Sequence, residues 1–168
     1  TNYPSFYKTL NLTMKNNISE NPLIKNVDIN RSFYHVIEIN VDEYEILYKR
    51  EDNGKYVLEN KKEITLDEEI PYTIPRLINE IPKNKLDSFI KYFKRIDLNI
   101  REKISEIRYE PNEYDKDRFL LYMDDGNSVY LTITKFERLN YYNDVLPQLE
   151  GRKGILYLDS GNHFQIME

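Results

Sequence analysis

The first third of the chain has hydrophobic and polar positions in two rhythms, one helical and one extended. Four apolar residues recur at every fourth position and so share one face of a helix: Phe6, Leu10, Met14 and Ile18. Pro22 ends this helix, because the residue before a proline is pushed out of the helical region. Residues 24–29 then begin a strand, and residues 35–44 form a second one.

The second of these strands predicts a sheet with one buried face. Its apolar residues Ile37, Ile39 and Val41 alternate strictly with acidic and amide side chains. A period of two over this length is typical of a half-buried antiparallel strand. The pattern therefore predicts a small helix-strand-strand module, which ends near residue 48.

The remainder of the chain predicts a sheet flanked by helices. Asn53-Gly54 separates two extended runs and indicates a hairpin with a type I′ turn, which needs positive φ at both central positions. A second hairpin turn is expected at residues 124–127. Helical spacing marks residues 84–95 and 136–149. Further strands are expected at residues 63–66, 104–109, 118–123, 129–133, 155–158 and 164–167. The fold class is therefore α+β, with an antiparallel or mixed sheet in the second module.

Composition narrows the classes of function. The 168 residues include 29 acidic and 24 basic side chains, for a formal net charge of -5. This balance argues against a nucleic-acid-binding protein, whose contact face is strongly basic. The chain has no cysteine, which excludes disulfides, thiolate zinc sites and a cysteine nucleophile. No apolar run approaches the roughly 18 residues of a membrane span.

The motifs of enzyme active sites are missing, so we predict no catalytic activity, no metal and no cofactor. His35 and His163 are the only histidines, and they belong to different modules. The run at residues 124–127 lacks the spaced oxygen ligands and final glutamate of a calcium loop, which favours the hairpin turn. Paired carboxylates for glycoside chemistry are not excluded by counting, because 29 acids offer many pairs.

Binding through a surface is the remaining class. The chain carries 15 tyrosines, a residue type enriched at protein interfaces. A short terminal strand that follows two hairpins predicts an open sheet edge, whose unpaired N–H and C=O groups accept a strand from a partner. The alternative is that the terminal strand is satisfied within the molecule and the tyrosines only pack on the sheet.

Several motifs follow one another in an order that carries a family resemblance. They are the strand at 104–109, the Asp-Gly hairpin at 121–129, a helix with a Tyr-Tyr pair at 141–142, and a Lys-Gly strand that begins at 153 and continues to Phe164. This succession resembles the β domain of the bacterial cell division proteins DivIB and FtsQ. The first module is similar to the last helix and two strands of a POTRA domain. Tyr157 stands where the DivIB pattern often has an acidic residue.

The resemblance implies an architecture and a role. Residues 1–48 would be the C-terminal part of a POTRA-like domain, and residues 49–168 a β domain of DivIB/FtsQ type. The protein would be a non-enzymatic scaffold of the division machinery at the septum. A single membrane span would precede this extracytoplasmic segment. Its partners would be FtsB/DivIC-like and FtsL-like proteins, and through them it would regulate the septal peptidoglycan synthases.

In FtsQ the partner is reached around the last strands, by strand addition, and the resemblance implies the same here. The corresponding positions of this chain are Leu158, Ser160, Gly161, Asn162, His163, Phe164, Gln165 and Ile166. Gly161 permits a turn, and Phe164 or Ile166 offers an apolar anchor. Two other functions remain as alternatives: a POTRA module of an outer-membrane assembly or secretion protein, and an enzyme that acts on the cell wall.

Overall fold

The protein is described by a computed structural model over residues 11–32, 36–66 and 70–167. Phe6, Leu10 and His35 lie outside these residues. The elements, in chain order, are α1 (Asn11–Ser19), β1 (Ile24–Arg31), β2 (Ile37–Glu43), β3 (Ile46–Arg50), β4 (Tyr56–Leu58), β5 (Glu63–Ile64), β6 (Arg76–Leu77), α2 (Lys83–Phe93), α3 (Leu98–Arg101), β7 (Ile104–Tyr109), β8 (Arg118–Met123), β9 (Ser128–Thr132), a 3₁₀ segment (Ile133–Tyr141), α4 (Tyr142–Val145), a second 3₁₀ segment (Leu146–Leu149), β10 (Gly154–Tyr157) and β11 (His163–Ile166). The α+β class is confirmed.

The strands of the described residues form two sheets. β1 and β2 pair antiparallel as a two-stranded sheet, and the other nine strands form one mixed sheet in the order β11-β10-β9-β8-β7-β6-β3-β4-β5. The predicted division of the chain into residues 1–48 and 49–168 stays a prediction; residue 48 lies within β3.

The prediction that β2 is half-buried is wrong. Ile39 and Val41 are 42% and 40% exposed, although the antiparallel pairing with β1 is present. Val27 faces Val41 in the register and is fully buried, and helix α1 lies against β1. Helix α1 thus packs mainly on β1, and the apolar residues of β2 stay partly exposed.

The core of the larger sheet is built from aromatic rings. Phe89 of α2 stacks on Phe93 and on Phe119 of β8 at centroid distances of 5.2 Å, and its edge meets Phe136 at 5.8 Å. All four side chains are fully buried. This cluster joins α2, β8 and the first 3₁₀ segment, and so positions the strands at the C-terminal end of the sheet.

Two local predictions need correction. The hairpin at residues 46–58 is present, but its turn is not type I′, because Gly54 has φ of 70° while Asn53 is not in the positive-φ region. The side chain of Asn53 instead accepts a hydrogen bond from the Lys55 N–H at 2.9 Å, and the connection is longer than two residues.

The second correction concerns residues 136–149, which do not form one continuous helix. They belong to the two 3₁₀ segments and the single turn of α4. Along the first 3₁₀ segment and into α4, buried residues recur three apart, at Ile133, Phe136, Leu139 and Tyr142. That spacing matches the 3.0 residues per turn of a 3₁₀ helix, which keeps them on one line toward the core. Pro147 lies in the first turn of the second segment, which begins at Leu146, and it has no N–H to continue a preceding helix.

Candidate functional site

The terminal strand β11 forms one margin of the large sheet. It pairs antiparallel with β10 alone, with Leu156 opposite Phe164 and Tyr157 opposite His163. β10 in turn pairs parallel with β9. Within the described parts of the chain, no strand pairs with the outer side of β11.

The hydrogen-bond pattern shows which backbone groups face this open side. The Met167 N–H donates to the Lys153 carbonyl at 3.0 Å, and the Leu158 N–H donates to Tyr130 on β9 at 2.7 Å. Because backbone groups alternate along a strand, the N–H and C=O groups of His163 and Gln165 face β10. Those of Phe164 and Ile166 therefore point away from the sheet.

A groove with a volume of about 700 Å³ runs beside this edge, between β10–β11 and the segment of residues 138–152. Its floor is largely apolar: Tyr142, Val145, Leu149, Leu156, Phe164 and Ile166. Arg138 and Arg152 lie on its border. Phe164 packs against the core, whereas Ile166 is 48% exposed. The groove and the open backbone edge together form one continuous surface.

A buried polar chain anchors β10 beneath the groove. Asn127, which is 2% exposed, donates from Nδ2 to the Tyr142 hydroxyl at 3.1 Å. That hydroxyl donates to the Asp125 carboxylate at 2.9 Å. The Oδ1 atom of Asn127 accepts the Gly154 N–H at 3.0 Å. The β8–β9 turn, α4 and the first residue of β10 are thus linked through one amide side chain.

The same hydrogen bonds lower the pKa of Asp125. Burial alone would raise the pKa of Asp125, but hydrogen bonds from the Asn127 backbone, the Tyr142 hydroxyl and the Asn127 side chain outweigh it and hold the pKa below its ordinary value. Burial also raises the pKa of Tyr142, which keeps its hydroxyl protonated as a donor.

At Gly154 the backbone of β11 leaves no room for a side chain on β10. A Cβ atom at this position would lie 2.1 Å from the Gln165 carbonyl oxygen and 2.8 Å from Cζ of Phe164. Atoms in proteins do not pack at such distances, so only glycine allows β11 to lie where it does.

The turn between β10 and β11 is held from its inner side. Asp159 accepts a hydrogen bond from Nε of Arg118 at 2.7 Å, and both side chains are largely buried. Lys135 donates to the Asp159 carbonyl at 2.7 Å. Burial would raise the pKa of Asp159, but the Arg118 guanidinium and the Ser160 hydroxyl hold it below its ordinary value. Gly161 has φ of 138°, which glycine adopts readily.

The structure brings all eight predicted binding residues together on this turn and strand. Leu158 is buried against the groove, and Ser160 donates to Asp159 at 3.0 Å. Asn162 accepts a hydrogen bond from Arg138 at 3.0 Å. The remaining residues divide between the two faces of β11. The side chains of Phe164 and Ile166 line the groove, and the strand alternation puts those of His163 and Gln165 on the opposite face, although His163 also borders one end of the groove.

Sequence reasoning missed Asn127, Tyr142, Gly154 and Asp159 as residues that hold the edge. A local signal existed for Gly154 alone, because glycine directly before a buried strand indicates a close approach. The contacts through which the other three join separate elements span 15 or more residues of the chain.

Two further observations describe the site. None of the helices in the described ranges is long and apolar enough to cross a membrane. Among those same residues, no three histidine or acidic side chains converge in a way that could hold a metal ion.

Comparison with known proteins places the chain in a family. The family model for the C-terminal domain of the cell division proteins FtsQ and DivIB matches residues 47–160. The chain is 33% identical over 156 residues to the cell division protein DivIB of Bacillus subtilis (strain 168), which covers 88% of the chain and 58% of that protein. It is 29% identical over 154 residues to DivIB of Listeria monocytogenes, covering 88% of the chain and 57% of that protein.

The fold has a solved counterpart. The major extracytoplasmic domain of the trans isomer of DivIB from Geobacillus stearothermophilus superposes with a TM-score of 0.52, over 65% of this chain and 96% of that one. The two are 23% identical, so this likeness concerns the fold. The chain spans less than three fifths of the two curated relatives named above. Since the family match extends over more than half of the 168 residues, the chain belongs to the FtsQ/DivIB family of bacterial cell division proteins.

Proposed function

We propose that this chain binds an FtsB/DivIC-like division protein by accepting a strand at the outer side of β11. The observation that carries the proposal is the pair of outward-facing backbone units at Phe164 and Ile166, which lie beside an apolar groove. Such an edge offers main-chain hydrogen bonds for affinity, and the adjacent pockets supply specificity.

The groove supports the proposal because it supplies contact area that the short edge strand lacks. β11 has four residues, so an added strand makes few hydrogen bonds. A stable interface buries about 800 Å² on each partner, which requires contacts beyond the strand. The apolar floor provides that area. Arg138 and Arg152 on its border favour acidic side chains in the flanking part of the partner.

The wider role follows from the family. We propose that the segment works outside the membrane at the division septum, anchored by a single span upstream of residue 1, and that it performs no chemistry itself. An FtsL-like protein would join the same complex, which would regulate the septal peptidoglycan synthases. Residues 1–48 would be the end of a POTRA-like domain, and residues 49–168 the partner-binding β domain.

Replacement of Ile166 by proline tests strand addition directly. The N–H of Ile166 faces outward, so its loss removes no hydrogen bond to β10, and proline is tolerated on an edge strand in this orientation. The ring blocks the incoming strand. The control is Ile166→Ala, which removes the side chain but keeps the donor.

The probe is the soluble extracytoplasmic part of the DivIC-like protein of the same organism, measured by calorimetry. We expect Ile166→Pro to weaken binding about tenfold more than Ile166→Ala, because a hydrogen bond and the strand position are both lost. Amide exchange adds a second readout, since the Phe164 and Ile166 amides should become protected only in the complex. Equal affinities of the two variants would refute strand addition, and no binding to the wild type would refute the partner.

A further inference from the structure

Planar side chains stack in a row across the face of the sheet opposite the groove. The Arg118 guanidinium on β8 lies 3.5 Å from the ring centroid of Tyr130 on β9. Tyr130 stacks on Tyr157 of β10 at 5.3 Å, and Tyr157 stacks on His163 of β11 at 4.5 Å with an interplanar angle of 6°. The two ring-to-ring steps are close to the spacing of neighbouring strands, about 4.8 Å. The row thus advances one strand at a time and ends at the open edge.

His163 is the last member of this row. Its side chain is exposed, and Tyr157 covers one face of its ring. Among the described residues, no other ring or cation stacks on the imidazole. One planar face therefore points toward the place where an added strand would lie.

The backbone pattern decides how closely an added residue approaches this face. The backbone groups of His163 point toward β10, so an antiparallel strand at the edge would meet it as a non-hydrogen-bonded pair. Such pairs have Cα atoms about 4.5 Å apart, with their side chains on the same face and in contact.

We propose that His163 selects an aromatic side chain at the opposing position of the partner strand, which would extend the row by one ring. This inference rests on the proposed strand addition at β11. Charges of both signs border the same hollow as His163: Arg118, Lys135, Asp115 and Asp159. A neutral ring therefore suits the position better than an ion of either sign. Aromatic pairs of this kind favour an offset stack at ring separations of about 4.5–7 Å.

The test varies both sides of the contact. In this chain, His163→Leu removes the planar ring but keeps an apolar side chain, and His163→Phe restores a ring. Tyr72→Leu is the matched control, since it makes the same ring-to-leucine change at an exposed ring that lies outside the groove and β11. In the DivIC-like probe, each aromatic residue is replaced by leucine in turn, which leaves this protein unchanged.

We expect His163→Leu to weaken binding about three- to tenfold, and His163→Phe and the control Tyr72→Leu to stay within about twofold of the wild type. One aromatic-to-leucine change in the probe should have no additional effect in the His163→Leu background, as measured by a double-mutant cycle. A purely structural role for His163 would give no such coupling.

The experiment separates failure of the His163 contact from failure of strand addition. If the wild type binds the probe and Ile166→Pro weakens it, but no aromatic residue of the probe couples to His163, this inference is overturned and strand addition stands. If the wild type does not bind, both are overturned.

Discussion

A methyl group added at Gly154 should loosen the binding edge selectively. The added Cβ would lie 2.1 Å from the Gln165 carbonyl oxygen, and a tolerable contact begins near 3.0 Å, so the two strands must separate by about 0.9 Å. A hydrogen bond of about 2.9 Å that lengthens by this amount leaves the bonding range. The substitution Gly154→Ala therefore breaks the pairing between Ile155 and Gln165.

The loss of stability expected for Gly154→Ala is that of an overpacked contact. Overpacking of this kind destabilises proteins by about 1–3 kcal/mol, and each kcal/mol lowers Tm by about 2–4 °C for a domain of this size. Because β11 is terminal and pairs with one strand, we expect it to detach while the aromatic core stays folded. Partner binding should weaken together with the loss of β11.

Urea unfolding and amide hydrogen exchange measure the two effects separately. The matched control is Gly54→Ala, which has φ of 70° and open space around it. It should lose about 1 kcal/mol through backbone strain but keep the exchange protection of Gln165 and Met167. If Gly154→Ala retained wild-type stability and wild-type exchange at Gln165, the close approach of the two strands would not constrain the edge.

Two further results are expected. Tyr142→Phe should lower the free energy of unfolding by about 1–3 kcal/mol, because it removes the buried donor to Asp125. The control Tyr141→Phe changes an exposed neighbour and should stay within about 0.5 kcal/mol of the wild type. Equal effects of the two variants in urea unfolding would contradict this prediction. The folded-state pKa values of Asp125 and Asp159 are lowered, so their contribution to stability is complete above about pH 4 and is lost as the pH falls further. Asp159→Asn should reduce that acid-induced loss in unfolding measured from pH 7 to 2, and an unchanged pH profile would count against the Arg118–Asp159 pair.

Local patterns predicted the strands that surround the site. The alternation in residues 129–133 and the turn residues at 124–127 identified the β8–β9 hairpin, because strand period and turn chemistry depend on neighbours in sequence. The terminal strand was predicted at residues 164–167 and lies at His163–Ile166. The eight predicted binding residues are consecutive or nearly so, which is why a local argument could collect them.

Longer-range features were not predictable in this way. β6 has two residues and was not predicted, yet it pairs in parallel with both β3 and β7 and makes the nine strands one sheet. The groove wall was predicted as a continuous helix, but the spacing of its buried residues and Pro147 produce 3₁₀ segments. The pairing of β6 and the 3₁₀ form of the groove wall both depend on contacts with the rest of the sheet.

Local sequence encodes the short terminal strand and the glycine-containing turn before it, since apolar spacing and turn residues depend on near neighbours. An open edge at this strand was one of two predictions, and the strand order chooses between them. β10 pairs with β9 on one side and β11 on the other, and no strand of the described residues covers the outer side of β11. The same placement aligns Tyr130, Tyr157 and His163 across three strands. Contacts between residues distant in sequence depend on the strand order, and no local pattern encodes that order.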